Sequence, residues 1–406
     1  MRHRVIALAS VALLCVIAWT TIVSLVRQLR APVTVQPFIA SQYWLTYEHG
    51  FVRRGLPGTL LAFAGNPVPH QVVTAIAVML TISAIAVTVL MSLQLAQSLG
   101  DDAPRTLIVL LLVASPLTVS LMVRDLGRYD TIGILALGFF ALSRPSYAWR
   151  SQSAALATAT LIAVLAVGSE EFELAFLVPV LWLWVGRARR TFLVVVAIPV
   201  AVMVASLLMR PSTAVVTAVL GKARAEGVLV TPQGSAVGAL SNTLRQQFDY
   251  LANVNRGELT LSILLTTGSF LVLAWLLRRH GVFDAVPPGM RWVGLYLILV
   301  VVLLGIVGVD YRRWWMHATM TLTAIALISA RSAPRLEADL RRSTLTEAWG
   351  SLVAALLFIA LQAIPVATHT SWQRLRPAWS WNDPRQIVLG APHAQPTCVL
   401  LGDCAG

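Results

Sequence analysis

Apolar residues occur along this chain in long runs that are separated by short polar segments. The runs are about 15 to 25 residues long, which is near the length that crosses a ~30 Å hydrocarbon layer as a helix. A window of about 19 residues predicts about eleven spans. They begin near residues 5, 71, 106, 129, 153, 172, 191, 259, 292, 314 and 350. The pattern predicts an all-α polytopic membrane protein.

Arginine-rich loops set the predicted orientation. Alternate loops between the spans are Arg144–Arg150, Arg187–Arg190, Arg278–Arg291 and Arg331–Arg342. The positive-inside rule assigns them, together with the N-terminus, to the cytoplasm. We therefore predict one transmembrane domain over residues 1–368, with external loops at 27–70 and 210–258, and an extracytoplasmic tail at 369–406.

The composition changes this picture little. Hydrophobic residues make up 57% of the chain and charged residues 12%, which is far from the balance of a soluble domain. The net charge of +13 comes almost entirely from arginines, with Lys222 as the single lysine. Because these arginines are dispersed between apolar runs instead of lining one face, they indicate membrane topology rather than a nucleic-acid interface.

The sequence also supports predictions for the three cysteines. The first apolar run is longer than a typical export signal, so we expect it to remain as an anchor, with Cys15 packed inside it. Cys398 and Cys404 lie in the external tail, where either a disulfide or two free thiols fit the sequence.

One external segment has apolar residues at three- and four-residue spacing. This spacing predicts an amphipathic helix that lies on the membrane or packs as a lid. They are Val237, Leu240, Leu244, Phe248 and Leu251.

Four charged clusters fall on the external side of the predicted topology. They are Tyr47–Gly55, Arg124–Asp130, Glu170–Glu173 and Asp310–Trp314. A single pair, such as Arg128 with Asp130 or Asp310 with Arg313, can equally be a structural ion pair. Four clusters on one side favour a composite site, because ionised groups are costly in a membrane protein and mark its functional positions.

The spacing of the acids predicts how deep this site lies. From Asp130 to Arg144, and from Glu173 to Arg187, about fourteen residues extend ~21 Å as a helix, which is less than the apolar layer. The acids should therefore lie below the outer surface and need arginine partners. The acids are Asp125, Asp130, Glu170 and Glu171. We expect them to pair with Arg53, Arg54, Arg124, Arg128, Arg312 and Arg313. Helix N-termini at three clusters would favour an anion such as phosphate.

These residues resemble a family of bacterial multi-span proteins that is associated with surface-polysaccharide synthesis. The family pattern Gly-Phe-x-Arg-Arg-Gly-Leu-x-Gly matches Gly50 to Gly58. An Asp-x-x-Arg-x-Asp element matches Asp125, Arg128 and Asp130, and an Asp-x-x-Arg-Trp element matches Asp310, Arg313 and Trp314. A fourth element of the family is similar to His-Glu-x-Phe. Here Glu171 takes the glutamate position, but Glu170 stands where histidine is usual, and Phe172 is one place earlier than the family's phenylalanine.

The layout also resembles the C-type glycosyltransferase superfamily, whose members use polyprenyl-phosphate sugars and carry an acid in the first external loop. Glu48 stands at that position. The resemblance implies sugar transfer at the external face of a bacterial inner membrane. It implies Glu48 as the first candidate base and Asp130 as the second. The other predicted substrate and phosphate contacts are Arg53, Arg54, Arg124, Asp125, Arg128, Glu170, Glu171, Asp310, Arg312, Arg313 and Trp314.

Two other classes of function fit the same residues. A lipid-linked glycan flippase or transporter would also need an arginine-lined cavity, although the predicted span centres hold essentially no charges. A non-catalytic membrane scaffold of a polysaccharide assembly complex is the third class. The expected partners are a polyprenyl-phosphate-linked sugar, a glycan or glycolipid acceptor and membrane lipids. The sequence predicts no cofactor, leaves a divalent metal open, and gives no metal assignment to His49 or to His317.

Overall fold

The structure is a computed structural model. It describes residues 35–98, 118–143, 152–186, 188–232, 234–243, 292–307 and 311–332, and a few isolated positions at 109–113, 245–246, 263–278 and 290. Every regular element in this part of the chain is a helix, as the apolar runs predict. The N-terminal run with Cys15, the tail with Cys398 and Cys404, and the loop Arg144–Arg150 lie outside the described residues.

Twelve α-helices are bounded within the described residues, and short 3-10 helices at Ser41–Trp44, Tyr47–His49 and Ala62–Ala64 join the first of them. In chain order they are α1 Pro37–Ala40, α2 Gly55–Leu61, α3 His70–Gln97, α4 Val119–Arg124, α5 Asp130–Leu142, α6 Gln152–Ser169, α7 Glu173–Trp184, α8 Arg189–Leu208, α9 Thr213–Ala225, α10 Ala236–Ser241, α11 Val293–Val307 and α12 Tyr311–Ser332.

The long helices pack into a bundle with α12 at its centre. Helix α12 contacts α3, α5, α7 and α11, and α6 packs between α5 and α8. Nearly every described side chain of α12 is buried, including the threonines at 319, 321 and 323. The threonines tolerate burial because helical backbone carbonyls accept their hydroxyl protons, as Thr319 O does from Thr323 at 2.8 Å. The centre of the bundle is therefore a helix that can also carry polar side chains.

Two described helices, α3 with 28 residues and α8 with 20, are long and apolar enough to cross a membrane. Most of their surface is not covered by the rest of the protein, since only 28% and 22% of their most apolar windows are buried. Side chains such as Ile82, Leu193 and Val194 are exposed instead. Apolar faces of this length outside the protein core indicate contact with lipid.

The predicted spans near residues 71, 129, 153, 172, 191, 292 and 314 all coincide with helices that begin within a few residues of those positions. The starts near 5, 106, 259 and 350 lie outside the described residues. Helices α5 and α7 have 13 and 12 residues, which is ~20 Å and ~18 Å. They are thus as short as the spacing of their acids predicts.

A second core lies beside the bundle and is built from the loops that the sequence assigns to the external side. Tyr43, Trp44 and Leu45 pack there against α9 and α10. The hydroxyl of Tyr43 and the amide of Gln42 donate to the carbonyl of Gly127, at 2.5 and 3.2 Å, and so attach this layer to the charged loop before α5. The layer positions the Tyr47–Gly55 segment over the helix ends.

The amphipathic segment belongs to this second core over the part that is described. Val237 and Leu240 of α10 are buried against it. Of the two sequence alternatives, the described part follows the packed one rather than a helix lying on lipid. Leu244, Phe248 and Leu251 lie outside the described residues.

Candidate functional site

The Gly50–Gly58 segment contains two residues with positive φ, where it turns and brings its arginines beneath the second core. Gly50 has a φ of +93°, a conformation that side chains with a Cβ rarely adopt. Arg54 itself has a φ of +61° at the residue before α2, which is uncommon for a non-glycine residue and is typical of functional loops. A Cβ at Gly58 would meet the backbone of Leu45. The spacing of the motif therefore reflects local backbone geometry as well as chemistry.

Arg53 and Arg54 both bind the glutamates between α6 and α7. Arg53 donates from Nε to Oε1 of Glu171 at 2.7 Å and also pairs with it through Nη2. Arg54 donates to the two oxygens of Glu171 at 3.0 Å each and pairs through Nη2 with Glu170. Glu171 has no exposed side-chain surface. Two guanidinium groups thus neutralise and hydrogen-bond one fully buried carboxylate, as a buried charge requires.

Arg313 extends this network to the other two clusters. It forms a bidentate ion pair with Asp130 at the start of α5, and its Nη2 donates to Oε2 of Glu170 at 3.3 Å. The connected order is Arg53, Glu171, Arg54, Glu170, Arg313, Asp130. Side chains from all four sequence clusters therefore meet in one network, which we call the buried network.

Further charged and aromatic residues of the clusters lie around the buried network. Arg128 lies 3.9 Å from Asp125 and its guanidinium sits over the ring of Phe38. Arg312 and Trp314 are buried at the start of α12. Asp310 and the side chain of Arg124 lie outside the described residues.

Glu48 lies apart from the buried network, on the exposed side of the same segment. Its carboxylate pairs with Lys222 of α9 and accepts from the amide of Asn66 at 3.4 Å. The side chain is 46% exposed. The hydrogen bonds from Lys222 and Asn66 lower the pKa of Glu48 below its usual value. Glu48 is thus an ionised, water-accessible carboxylate, whereas Asp130 is a buried one.

No protein-family model, curated protein or solved structure matches this chain.

The helix N-termini face the protein's own acids. Asp130 and Glu173 occupy the first positions of α5 and α7, and both are buried. Carboxylates at these positions are stabilised by the helix dipole. A phosphate at either N-terminus would therefore lie beside an existing carboxylate, and the arginines are the groups able to offset that repulsion.

Sequence reasoning gives two residues of this region no role, namely Glu173, which lies in a predicted cluster but not among the predicted contacts, and His317. Glu173 and His317 are buried directly below the buried network, where Nδ1 of His317 approaches Oε2 of Glu173 to 3.2 Å. With Asp130 they line a cavity of about 10 Å3, walled by Phe176 and Trp314. The sequence alone favours a packing role for His317, yet this residue follows Arg313 by four positions and so lies on the same helical face. That spacing is the signal that could have placed it in the site.

Gly133 leaves the space that the side chain of Glu173 occupies. A Cβ at Gly133 of α5 would collide with the carboxylate of Glu173. Gly133 follows Asp130 by three residues, so both lie on the face of α5 that is turned toward α7. Helices α5 and α7 can therefore approach closely while a carboxylate lies between them.

Proposed function

We propose that the chain is a multi-pass protein of the bacterial inner membrane, with about eleven spans, a cytoplasmic N-terminus and the buried network toward the extracytoplasmic side. The uncovered apolar faces of α3 and α8 support insertion into lipid. The short helices α5 and α7 support a recessed network, because an acid at the end of a helix of ~20 Å lies inside a ~30 Å layer.

The activity proposed for this site is transfer of a sugar from a polyprenyl-phosphate-linked donor to a glycan or glycolipid acceptor. The observation that carries this proposal is the convergence of arginines from two distant motifs on one buried network beneath an exposed carboxylate on the same segment. Arginine forks fit phosphate oxygens, and a carboxylate can accept the proton of an attacking hydroxyl. The carboxylate of Glu48 thus lies nearer to water than the arginines of the buried network do.

In the proposed reaction the acceptor hydroxyl attacks the anomeric carbon of the donor sugar. The new bond joins the acceptor oxygen to that carbon, and the bond from the carbon to the phosphate oxygen breaks. Glu48 takes the hydroxyl proton, and polyprenyl phosphate leaves with its electron pair. Arg53, Arg54, Arg128 and Arg313 stabilise the departing phosphate. A guanidinium has five N–H donors, so an arginine that holds a carboxylate can also bind a phosphate.

Transfer of labelled sugar by the purified protein tests this assignment. Glu48→Gln keeps the shape of the side chain but removes the base, and we expect a loss of roughly 100-fold or more. Arg128→Lys keeps the charge but removes the guanidinium fork, and we expect a similar loss. Glu226→Gln is the matched control, because Glu226 is an acid of the same external layer that accepts from the backbone of His70 at 3.1 Å.

Two experimental outcomes would contradict the proposal. If Glu48→Gln and Arg128→Lys transfer sugar as well as the unaltered protein does, the catalytic assignment is wrong. If the protein in vesicles moves a lipid-linked glycan across the bilayer without forming a new glycosidic bond, it is a flippase.

A further inference from the structure

Three buried side chains of the kind that bind metals meet below the buried network. Asp130, Glu173 and His317 each offer a ligand atom, and these atoms lie within 4.8 Å of one another. They come from the starts of α5 and α7 and from the second turn of α12. The cavity that they line has a volume of about 10 Å3, which is about the space of one small bound species.

The polar atoms of this cluster lack the hydrogen bonds that burial demands. Within the described part of the chain, neither ring nitrogen of His317 has a hydrogen-bond partner, and Oε2 of Glu173 has none. The two residues are only 3% and 2% exposed. Buried polar atoms are almost always satisfied, so these atoms have hydrogen-bonding or ligand capacity that the described residues do not fill.

The distance between the two side chains fits a shared ion. Nδ1 of His317 lies 3.2 Å from Oε2 of Glu173, but the two atoms are not aligned for a hydrogen bond. Ligand atoms about 2.1 Å from one metal ion lie about 3.0 Å apart in octahedral and about 3.4 Å apart in tetrahedral coordination. The observed separation lies between these values.

The surroundings hold the carboxylates in place. Arg313 binds both oxygens of Asp130 through Nε and Nη2, and a carboxylate has lone pairs left for a metal when an arginine holds it. Such outer hydrogen bonds orient metal ligands in many proteins. Gly133 leaves the space in which the carboxylate of Glu173 lies.

The donor atoms of the cluster point to a cation rather than to an anion. Carboxylate oxygens and a neutral imidazole nitrogen offer lone pairs, which a cation accepts and an anion does not. Among the described residues arginines pair with Asp130, Glu170 and Glu171, whereas Glu173 contacts His317. A divalent cation beside Glu173 would give its carboxylate a partner of opposite charge.

We propose that Asp130, Glu173 and His317 bind one divalent transition-metal ion, of the class of Zn2+ or Mn2+. One imidazole and two carboxylates form a donor set suited to these ions, whereas Mg2+ and Ca2+ prefer oxygen ligands alone. The ion joins the starts of α5 and α7 to α12 and so connects three helices of the bundle. The site does not depend on sugar transfer, because Glu48, the proposed base, is not among its ligands.

Metal binding by the untagged full-length protein in detergent tests this inference. After chelation, the protein is titrated with Zn2+, Mn2+ or Co2+, and bound metal is measured by mass spectrometry after dialysis. We expect one ion per chain, a Co2+ visible spectrum of mixed nitrogen and oxygen ligands, and a metal-dependent rise in Tm. His317→Asn and Glu173→Gln should weaken binding by more than the ~10- to 100-fold seen when a group next to a ligand is lost.

Two controls separate this site from other binding. His49→Asn and Glu48→Gln alter exposed residues of the same types and should leave binding unchanged. The inference is overturned if the folded unaltered protein binds no ion, or if its affinity is the same in His317→Asn and Glu173→Gln. The Co2+ spectrum of the unaltered protein decides the question even where a variant fails to fold. None of these readouts requires sugar transfer, so the metal site and the proposed activity can fail separately.

Discussion

The segment from Glu48 to Arg54 contains two sets of ion pairs that differ mainly in burial. Arg53 and Arg54 enter the buried network, where Glu171 is fully covered. Glu48 pairs with Lys222 at the surface, where nearly half of its side chain meets water. A buried charge depends on its partner, whereas an exposed one is held by the solvent whether or not the partner is present.

This difference indicates how the two sets divide their roles. Each arginine in the buried network has a carboxylate partner, so its position is set before any ligand arrives. Glu48 is exposed and ionised, so water or another hydrogen-bond donor can replace its contact with Lys222. We therefore expect substitutions in the buried network to affect folding first, and substitutions at Glu48 to affect activity first.

The largest effect should follow from Glu171→Ala. This change leaves the partly buried Arg53 and Arg54 without their main partner, which costs about 3 to 5 kcal/mol in the free energy of unfolding. Denaturant unfolding of the purified protein in detergent measures it. Glu48→Ala is the matched control and should change the free energy by about 0 to 1 kcal/mol. Equal losses at the two glutamates would remove the distinction between the two regions.

Arg313→Lys sharpens the comparison by keeping the charge and changing only the geometry. Lysine cannot reproduce the bidentate contact with Asp130, so a buried acceptor loses a hydrogen bond, which costs about 1 to 3 kcal/mol. The same change at Arg210, an exposed arginine, should stay within about 0.5 kcal/mol. A loss at position 313 no larger than that at position 210 would indicate that charge alone stabilises the buried network.

Gly133→Ala tests the space beneath the buried network. The added methyl group collides with the carboxylate of Glu173, and we expect a loss of about 1 to 3 kcal/mol together with weaker metal binding. A methyl group added at Gly221 of α9 would meet no atom within 4 Å, so Gly221→Ala should be neutral or stabilising by up to about 1 kcal/mol. Thermal unfolding of both variants gives the comparison. A stable Gly133→Ala protein would contradict the close packing of α5 and α7.

The smallest effect should come from Lys222→Ala, at about 0 to 1 kcal/mol. The hydrogen bond from Lys222 lowers the pKa of Glu48 from its usual 4.5. The stabilisation is therefore complete above pH 4.5 and is lost as the pH falls through the lowered pKa. Unfolding measured from neutral to acidic pH should show the variant and the unaltered protein converging. Lys222→Arg keeps the positive charge and should remain as stable as the unaltered protein. If the stability lost in Lys222→Ala were larger in acid than at neutral pH, this ion pair would be excluded as its cause.

The local pattern of the chain was sufficient to predict the long apolar helices, but not helices such as Gly55–Leu61 and Thr213–Ala225 in the predicted loops. Starts predicted near residues 71, 129, 153, 172 and 191 coincide with observed helices, because a long apolar run hydrogen-bonds its own backbone whatever its neighbours are. The spacing from Asp130 to Arg144 likewise predicted a short helix. The span count and the orientation stay predictions, since several runs lie outside the described residues.

The pairing of charges was harder to predict. Sequence proximity favours Arg128 with Asp130, but the structure pairs Asp130 with Arg313, which is 183 residues away. Likewise Lys222, whose rarity carried no chemical meaning in the sequence, pairs with Glu48 across 174 residues. These contacts depend on how helices and loops pack, and residue spacing within one element carries no information about that.

The sequence by itself determined that this chain is helical, apolar and equipped with four charged clusters, because helix formation and hydrophobicity are properties of short segments. Only the tertiary structure decided that the clusters form one connected network, that Glu48 stays outside it, and that Glu173 and His317 face each other beneath it. The physical reason is that ion pairing and burial are properties of the space between elements, which exists only after the helices have packed.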